Sequence, residues 1–312
     1  MSQASRQLTL ITSSGFGSYA LLDSGGGRKL ERFGSIVVDR PEAQAIWRRQ
    51  QPDVEWAKAH AVFSASVEDD EKGRWRVDKP VPDSWPVVIG TRSGGTIAGA
   101  SAPDVTMLCR LQGLWHLGLF PEQMPHWRWM LERLAEVKGE RPRVLNLFAY
   151  TGAATLIAAA AGAEVTHVDA SKKAIAWAKE NQAASKLADK PVRWILDDAT
   201  KFVAREARRG KTYHVILVDP PKFGRGPEGE VWDLFTGLPQ LLRDCTALLA
   251  PDRAAMILTV YAIRASALAF DQVMREHLVN RGGQFDTGEL AIEPVGGRFA
   301  VPTSLFTRWV SA

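Results

Sequence analysis

The chain has 312 residues, 46% of them hydrophobic and 24% charged, with 26 Gly and 17 Pro. This composition excludes a disordered chain, a collagen-like repeat and a coiled coil, and the length suits about two domains, each with its own core. A formal charge of +4 permits an acidic partner without demanding one, because dedicated nucleic-acid modules are far more basic.

The opening MSQASRQLTLITSSGF has no charged start followed by an apolar stretch, so no secretory leader is expected. The longest apolar run, near Leu156 to Val165, is half of what a membrane span of roughly 20 residues needs. Two cysteines, Cys109 and Cys245, are too few for a disulfide scaffold and lack metal-ligand spacing. A cytoplasmic, reducing compartment and no membrane partner are the expectation.

Up to about residue 115 the pattern is one of short strands and turns. Tyr19–Leu22 and Ser35–Val38 flank the polar stretch SGGGRKLERFG and predict a hairpin or paired strands. Ala43, Ile46 and Trp47 fall on one face of a short helix over 41–49. Further strands are expected at Val54–Trp56, Arg74–Val77, Pro86–Gly90 and Thr96–Ala100, broken by the acidic run Glu68–Glu71. Seven of the eleven tryptophans (47, 56, 75, 85, 115, 127 and 129) precede residue 130. Core packing is the favoured reading of them, and a platform for stacked bases the sharper one.

Residues 121–138 predict a helix with Trp127, Met130, Leu131 and Leu134 on one face. Strands then alternate with helices. The strands are expected at 143–149, 164–169, 192–197, 213–219 and 254–261, and the helices near 152–161, 171–185, 199–210, 233–249 and 266–281. Two last strands, near 284–293 and 299–310, are joined by VGGR and predict an antiparallel pair. This is an α/β pattern, a parallel sheet covered on both faces, whose ligands sit beyond the carboxyl ends of its strands.

The first strand end reads Asn146-Leu147-Phe148-Ala149-Tyr150-Thr151-Gly152. Gly152 would let the backbone approach a ligand at a helix N-terminus. The spacing is not the dinucleotide fingerprint, and Phe148 and Tyr150 stand where a pyrophosphate needs small residues, so a ligand without phosphates fits better. Asp169 ends the second strand, 17 residues after Gly152. It could accept from ribose hydroxyls or merely cap the helix starting at Ser171. Asp197 and Asp198 end the third. Either could cap the next helix, or Asp198 could accept from an exocyclic amine with the backbone of Ala199 reading the ring. A metal at the paired carboxylates is discounted, because no third ligand lies at the right spacing.

The most informative segment is Asp219-Pro220-Pro221-Lys222-Phe223-Gly224. Two prolines after a buried strand remove two N–H donors and would leave carbonyls facing outward as acceptors. With Asp219 they could grip a planar ring bearing an amine, and Phe223 could stack on it.

The order NLFAYTG, Asp169, DDA and DPPKFG resembles the class I S-adenosylmethionine-dependent methyltransferases. Within them it is similar to the bacterial group of 23S ribosomal RNA large-subunit cytosine-5 and guanine-N7 enzymes. The resemblance covers residues 110–312 and reaches into the first part through LLDSGGGRKLERFG and HLGLFPEQ. It implies a Rossmann-like sheet with a C-terminal antiparallel pair over 116–312, preceded by a small hairpin-rich domain over 1–115. It implies S-adenosylmethionine as cofactor, with its methionine end near Asn146, Phe148, Tyr150, Thr151 and Gly152. Asp169 and the adjacent Ser171 would lie at the ribose, Asp198 and Ala199 at the adenine, and Phe120 and Gln123 in a segment closing the pocket. Asp219, Pro220, Pro221, Lys222 and Phe223 would border cofactor and acceptor.

The sequence also departs from that group. Cytosine-5 chemistry needs a thiolate to add to carbon-6, supplied by a Cys shortly after the fifth strand. Here that stretch is Leu258-Thr259-Val260-Tyr261-Ala262, and Cys245 lies in a helical pattern where a small buried hydrophobe is expected. Transfer to a nitrogen of an RNA base, ribosomal RNA by analogy, is therefore the leading reading. A small-molecule or protein methyltransferase and a non-catalytic cofactor-binding module are the alternatives. A nicotinamide oxidoreductase ranks last, for want of the glycine fingerprint. Lys201, Arg205, Arg208, Arg209 and Lys211 could meet phosphates, but cations at a helix C-terminus on a solvated face are the preferred account. Residues 1–115 carry 14 basic against 13 acidic residues and so form no basic clamp.

Overall fold

The computed structural model describes residues 7–65, 73–90, 104–261 and 264–312. The chain opens with β1 (Thr9–Ser14), β2 (Tyr19–Gly25), β3 (Arg28–Phe33) and β4 (Ile36–Pro41). A single helical turn, α1 (Asp53–Trp56), leads to β5 (Ala61–Ala65) and β6 (Gly73–Val77), and then to the antiparallel pair β7 (Trp85–Ile89) and β8 (Val105–Cys109). Strands β2 to β6 form a five-stranded sheet in chain order.

Within this part several elements differ from expectation. The polar stretch holds a strand of its own, RKLERF forming β3, paired to β2 on one side and β4 on the other. Its Lys29 and Glu31 are buried with partners. Glu31 accepts from Tyr19 Oη at 2.9 Å and from Arg40 Nε at 2.8 Å, and Lys29 donates to Glu42 at 3.0 Å. The 41–49 segment is not a helix. Its carbonyls go to the β2–β3 turn, Trp47 O accepting from Gly26 N at 2.7 Å and Ala45 O from Gly27 N at 2.9 Å, while Ile46 is 88% exposed. Residues 54–56 belong to a helical turn instead of a strand, and β5 was not anticipated. Arg74–Val77 lies within β6, and Pro86–Ile89 within β7. Thr96–Ala100 and Glu68–Glu71 fall outside the described residues.

After a short 3-10 turn at Pro121–Gln123 comes α2 (Met124–Glu136), and then the alternation starts. It runs β9 (Arg143–Leu147), α3 (Ala153–Ala160), β10 (Glu164–Asp169), α4 (Lys172–Ala184), β11 (Val192–Leu196), α5 (Ala199–Arg208) and β12 (Val215–Val218). A small hairpin, β13 (Phe223–Arg225) with β14 (Val231–Asp233), precedes α6 (Leu234–Ala247), β15 (Ala255–Tyr261) and α7 (Ala267–Leu278). The chain ends with β16 (Gln284–Glu293) and β17 (Val301–Val310).

The large sheet has the order β1-β16-β17-β15-β12-β9-β10-β11. Strands β15, β12, β9, β10 and β11 are parallel, and β17 runs antiparallel between β15 and β16. Central β12 is VILV, buried at every position, as a strand covered on both faces must be. Ser171, Asp198 and Asp233 cap α4, α5 and α6 through side-chain oxygens, each cap worth about 1 kcal/mol.

Strand β1 crosses the expected division at residue 115 and adds to the large sheet beside β16. The approach is close: a Cβ on Gly288 would lie 1.7 Å from Thr9 O. One apolar core also spans the division, joining Tyr19, Phe33 and Trp85 to Trp127, Leu156 and Ile257. The small sheet is thus packed against the large one through a shared core.

Candidate active site

A cavity of about 750 Å³ opens beyond the carboxyl ends of β9, β10, β11, β12 and β15. It takes in Asn146, Phe148, Tyr150, Thr151, Asp169, Ser171, Asp198, Ala199, the run Asp219 to Gly224, and Phe120 and Gln123 from the lead-in to α2. Of the expected residues, Gly152 alone is missing from its lining.

The β9–α3 loop explains that exception. Phe148 and Tyr150 have φ of +53° and +47°, a conformation that side chains disfavour at about 1–3 kcal/mol each, so the surrounding bonds must hold them. Tyr150 N donates to Asp169 Oδ2 at 2.8 Å. Thr151 Oγ1 donates to Gly118 O at 2.5 Å, and Asn181 Nδ2 donates to Thr151 O at 2.9 Å. Gly152, with φ of +85°, faces inward. A Cβ there would sit 3.2 Å from the Ala178 side chain and 3.6 Å from His167. Its missing side chain lets α4 and β10 close up, and does not admit a ligand.

Asn146 is held by Nδ2, which donates to Thr155 Oγ1 at 3.0 Å, and that hydroxyl in turn meets His167 Nδ1 at 3.0 Å. Burial drives His167 down to about 3, so it is neutral at physiological pH. Asp169 does not itself cap α4. It ties two loops through Tyr150 N and through Ser171 N at 2.8 Å, while Ser171 caps α4. Asp169 lines the cavity, and each of its carboxylate oxygens keeps a further lone pair. Asp198 likewise caps α5 through Oδ1, with Lys201 N at 3.0 Å, and its Oδ2 accepts no hydrogen bond among the described residues.

At the end of β12 the two prolines behave differently. Pro221 O is not an outward acceptor, because Trp232 Nε1 donates to it at 2.7 Å. Trp232, buried and 5.1 Å ring to ring from Phe148, locks the Asp-Pro-Pro turn against the β9 loop. Pro220 O takes no backbone partner among the described residues. Lys222 is exposed, with Nζ 5.1 Å from the ring of Phe223, which is itself 63% exposed at the cavity mouth.

Asp219 Oδ2 accepts from Gln123 Nε2 at 3.1 Å. Desolvation, and then the negative charge of Glu122, push the Asp219 carboxyl up to about 7. Glu122 also lines the cavity; burial pushes it up to about 6 against the pull of Lys29 and Arg40. Glu122, Trp232, Trp115 and Tyr261 are among the cavity residues that the sequence reading missed. Glu122 stands next to Gln123 in GLFPEQ, a signal that a search for paired carboxylates could have used.

The cysteines stand apart. Cys109 on β8 and Cys245 in α6 are buried, absent from the cavity lining, and burial raises both thiols well above their ordinary range. Thr259 and Tyr261 line the cavity at the end of β15; Ala262 lies outside the described residues. The basic stretch of α5 is largely engaged within the chain. Lys201 pairs with Glu228 and Glu230, Arg205 with Asp197, and Arg209 with Glu206. Among the described residues no cluster of three His, Cys, Asp or Glu side chains is placed to hold a metal, and no helix is long and apolar enough to cross a membrane.

The donor set fits a nucleoside without phosphates. Free lone pairs on Asp169 suit ribose hydroxyls, Asp198 Oδ2 suits an amine, and the aromatic β9 loop offers no glycine cradle for a pyrophosphate.

Residues 129–234 match the family described as Conserved hypothetical protein 95. Ribosomal RNA large subunit methyltransferase K/L of Shewanella sp. (strain ANA-3) is 37% identical over 122 residues, 38% of this chain and 16% of that protein. The enzyme of the same name from Shewanella baltica (strain OS155) is 36% identical over 143 residues, 45% of this chain and 19% of that protein. The chain therefore spans less than a fifth of the length of these curated relatives. A solved S-adenosylmethionine-dependent methyltransferase from Agrobacterium tumefaciens is similar over almost the whole chain: 47% identity, TM-score 0.87, 97% of this chain and 93% of that one. A Streptococcus mutans methyltransferase shares the fold at TM-score 0.67 and 16% identity, over 95% of this chain and 76% of that one. With strand ends, cavity and a near full-length relative in agreement, the chain belongs to the S-adenosylmethionine-dependent methyltransferases.

Proposed function

We propose that the chain methylates a nitrogen on a base of RNA, and that the RNA is ribosomal. The observation that carries this reading is the end of β12. Asp219 Oδ1 and Pro220 O are two acceptors without protein partners among the described residues, while both thiols are buried elsewhere. Two acceptors set close together suit the N–H groups of an amine on a planar ring. Carbon-5 of cytosine would need a thiolate that this cavity lacks. The curated relatives named for ribosomal RNA support the substrate class. Two free buried cysteines suit a reducing cytoplasm as the place of the reaction.

In this reading Asp169 holds the ribose of S-adenosylmethionine, with Ser171 beside it. Asp198 and the backbone of Ala199 face the adenine, and Asn146, Phe148, Tyr150 and Thr151 border the methionine end. When bound, the cofactor supplies an electrophilic methyl on a sulfonium. The protein contributes orientation and acceptors. Asp219 Oδ1 and Pro220 O take the amine hydrogens, which aims the nitrogen lone pair into the cavity. Such positioning is worth about 7–11 kcal/mol in well-oriented reactions. Gln123 fixes the other carboxylate oxygen, so Asp219 cannot rotate away. The proton that the nitrogen loses passes to Asp219 Oδ1, whose affinity near neutrality suits that task. Phe223 and Lys222 border the acceptor at the mouth.

Asp219→Ala tests this assignment. Transfer should fall by about 10²-fold or more while cofactor affinity, measured by calorimetry, holds. Unchanged transfer would remove Asp219 from the mechanism.

A further inference from the structure

In the order β17-β15-β12-β9-β10-β11, Asp219 at the end of β12 stands between two groups of cavity residues. Asp169 and Asp198 follow β10 and β11 on one side. Tyr261 closes β15 on the other, with the rings of Trp115 and Phe120 at 6.0 and 6.2 Å from its own. Within this second, aromatic half, Trp115 and Tyr261 have no part in the cofactor assignment above.

Of the tryptophans in the first 130 residues, Trp115 and Trp127 line the cavity; Trp127 is buried, whereas Trp115 is half-buried. Trp115 is also held in place by charged residues. Its carbonyl accepts from Arg40 Nη1 at 3.2 Å. Arg40 Cζ lies 5.2 Å and Lys29 Nζ 5.0 Å from the centre of its ring. Arg40 is fixed in turn by two bonds to Glu31, and Lys29 by Glu42, all four charged groups being buried. Buried ion pairs are a poor way to fill space, since apolar residues of similar size stabilise as well or better. What this network does achieve is one fixed position for an indole at the cavity wall.

We propose that Trp115 is the platform on which the planar ring of the acceptor stacks, and that the five-stranded sheet serves the reaction by holding it there. The proposal rests on the nucleobase reading of the acceptor given above. Every base presents a π face, so stacking on Trp115 adds affinity, and the choice of amine stays with Asp219 and Pro220. Arg40 and Glu31 are positioning residues in this scheme, because they act through Trp115.

The test uses the full chain with ribosomal RNA purified from cells lacking the gene, and S-adenosylmethionine with a labelled methyl. Trp115→Ala should raise KM for the RNA about tenfold or more, with the Kd for S-adenosylmethionine unchanged. Trp115→Phe should recover most of that loss. Trp115→Leu, which keeps bulk without a π face, should behave as the alanine variant and replaces it if alanine impairs folding. An alanine or leucine variant with the wild-type KM would overturn the platform and leave the RNA reading standing. Absence of label from RNA with the wild-type chain would overturn that reading and the platform with it.

Discussion

Gln123 Nε2 donates to Asp219 Oδ2 across 3.1 Å, joining the turn before α2 to the end of β12. The residues are 96 apart in the chain, and the bond sets the direction of the only carboxylate carried by the Asp-Pro-Pro turn. Because Glu122 precedes Gln123, the same turn also brings a second negative charge toward Asp219.

The pH dependence follows from that pair. Asp219 must be ionised to accept an amine hydrogen, and its carboxyl is pushed up to about 7. Transfer should therefore rise with pH through an inflection near 7. Glu122→Gln removes the like charge, lowers the Asp219 pKa and moves the inflection to lower pH. A profile that stays in place would show that Glu122 does not act on Asp219.

The same shift has a cost in stability. Asp219 binds its proton more tightly folded than unfolded, where a carboxyl titrates near 3.9. Its contribution is present at low pH and is lost as pH rises from about 4 through about 7. Asp219→Asn should thus melt higher than the wild type at pH 8 but not at pH 4, while losing activity. Thermal unfolding at both values checks the sign.

Asp169 carries the most linked contacts on the cofactor side. Asp169→Ala frees Tyr150 N and Ser171 N together and removes the restraint on a strained Tyr150. Calorimetry should show cofactor affinity down by about tenfold or more, as for loss of hydrogen bonds to a charged group. Retained affinity would mean that the ribose is held elsewhere.

Trp232→Phe removes the indole bond to Pro221 O, worth about 0.5–1.5 kcal/mol. Turnover should drop with little change in cofactor affinity, because the Asp-Pro-Pro turn loosens while the β10 side is untouched.

The paired variant Cys109→Ala with Cys245→Ala should keep its turnover, since both thiols are buried outside the cavity. Loss of transfer in a chain that still binds cofactor would restore a thiol to the mechanism.

The second half of the fold was legible in the sequence for physical reasons. Unbroken apolar runs such as VILV and AMILTVY leave no face for solvent, and Ser171, Asp198 and Asp233 mark helix starts. The first half was less legible because its local chemistry misleads. RKLERF reads as a polar stretch, yet its Lys29 and Glu31 are paired in the interior by residues that only the fold brings near. Strand β1 pairs with β16 some 280 residues on, and no local pattern encodes that choice. At the site, every residue of DPPKFG lines the cavity. Which proline carbonyl stays free depended on Trp232, and the inward turn of Gly152 depended on Ala178 and His167.

The most direct test of the central claim is transfer of a labelled methyl from S-adenosylmethionine into a lysate of cells lacking the gene, fractionated afterwards into RNA, protein and small molecules. The account predicts label in RNA, released by nuclease, and a nucleoside whose mass and chromatography identify an N-methylated base. Label confined to protein or metabolites, or a base methylated on carbon-5, would contradict it.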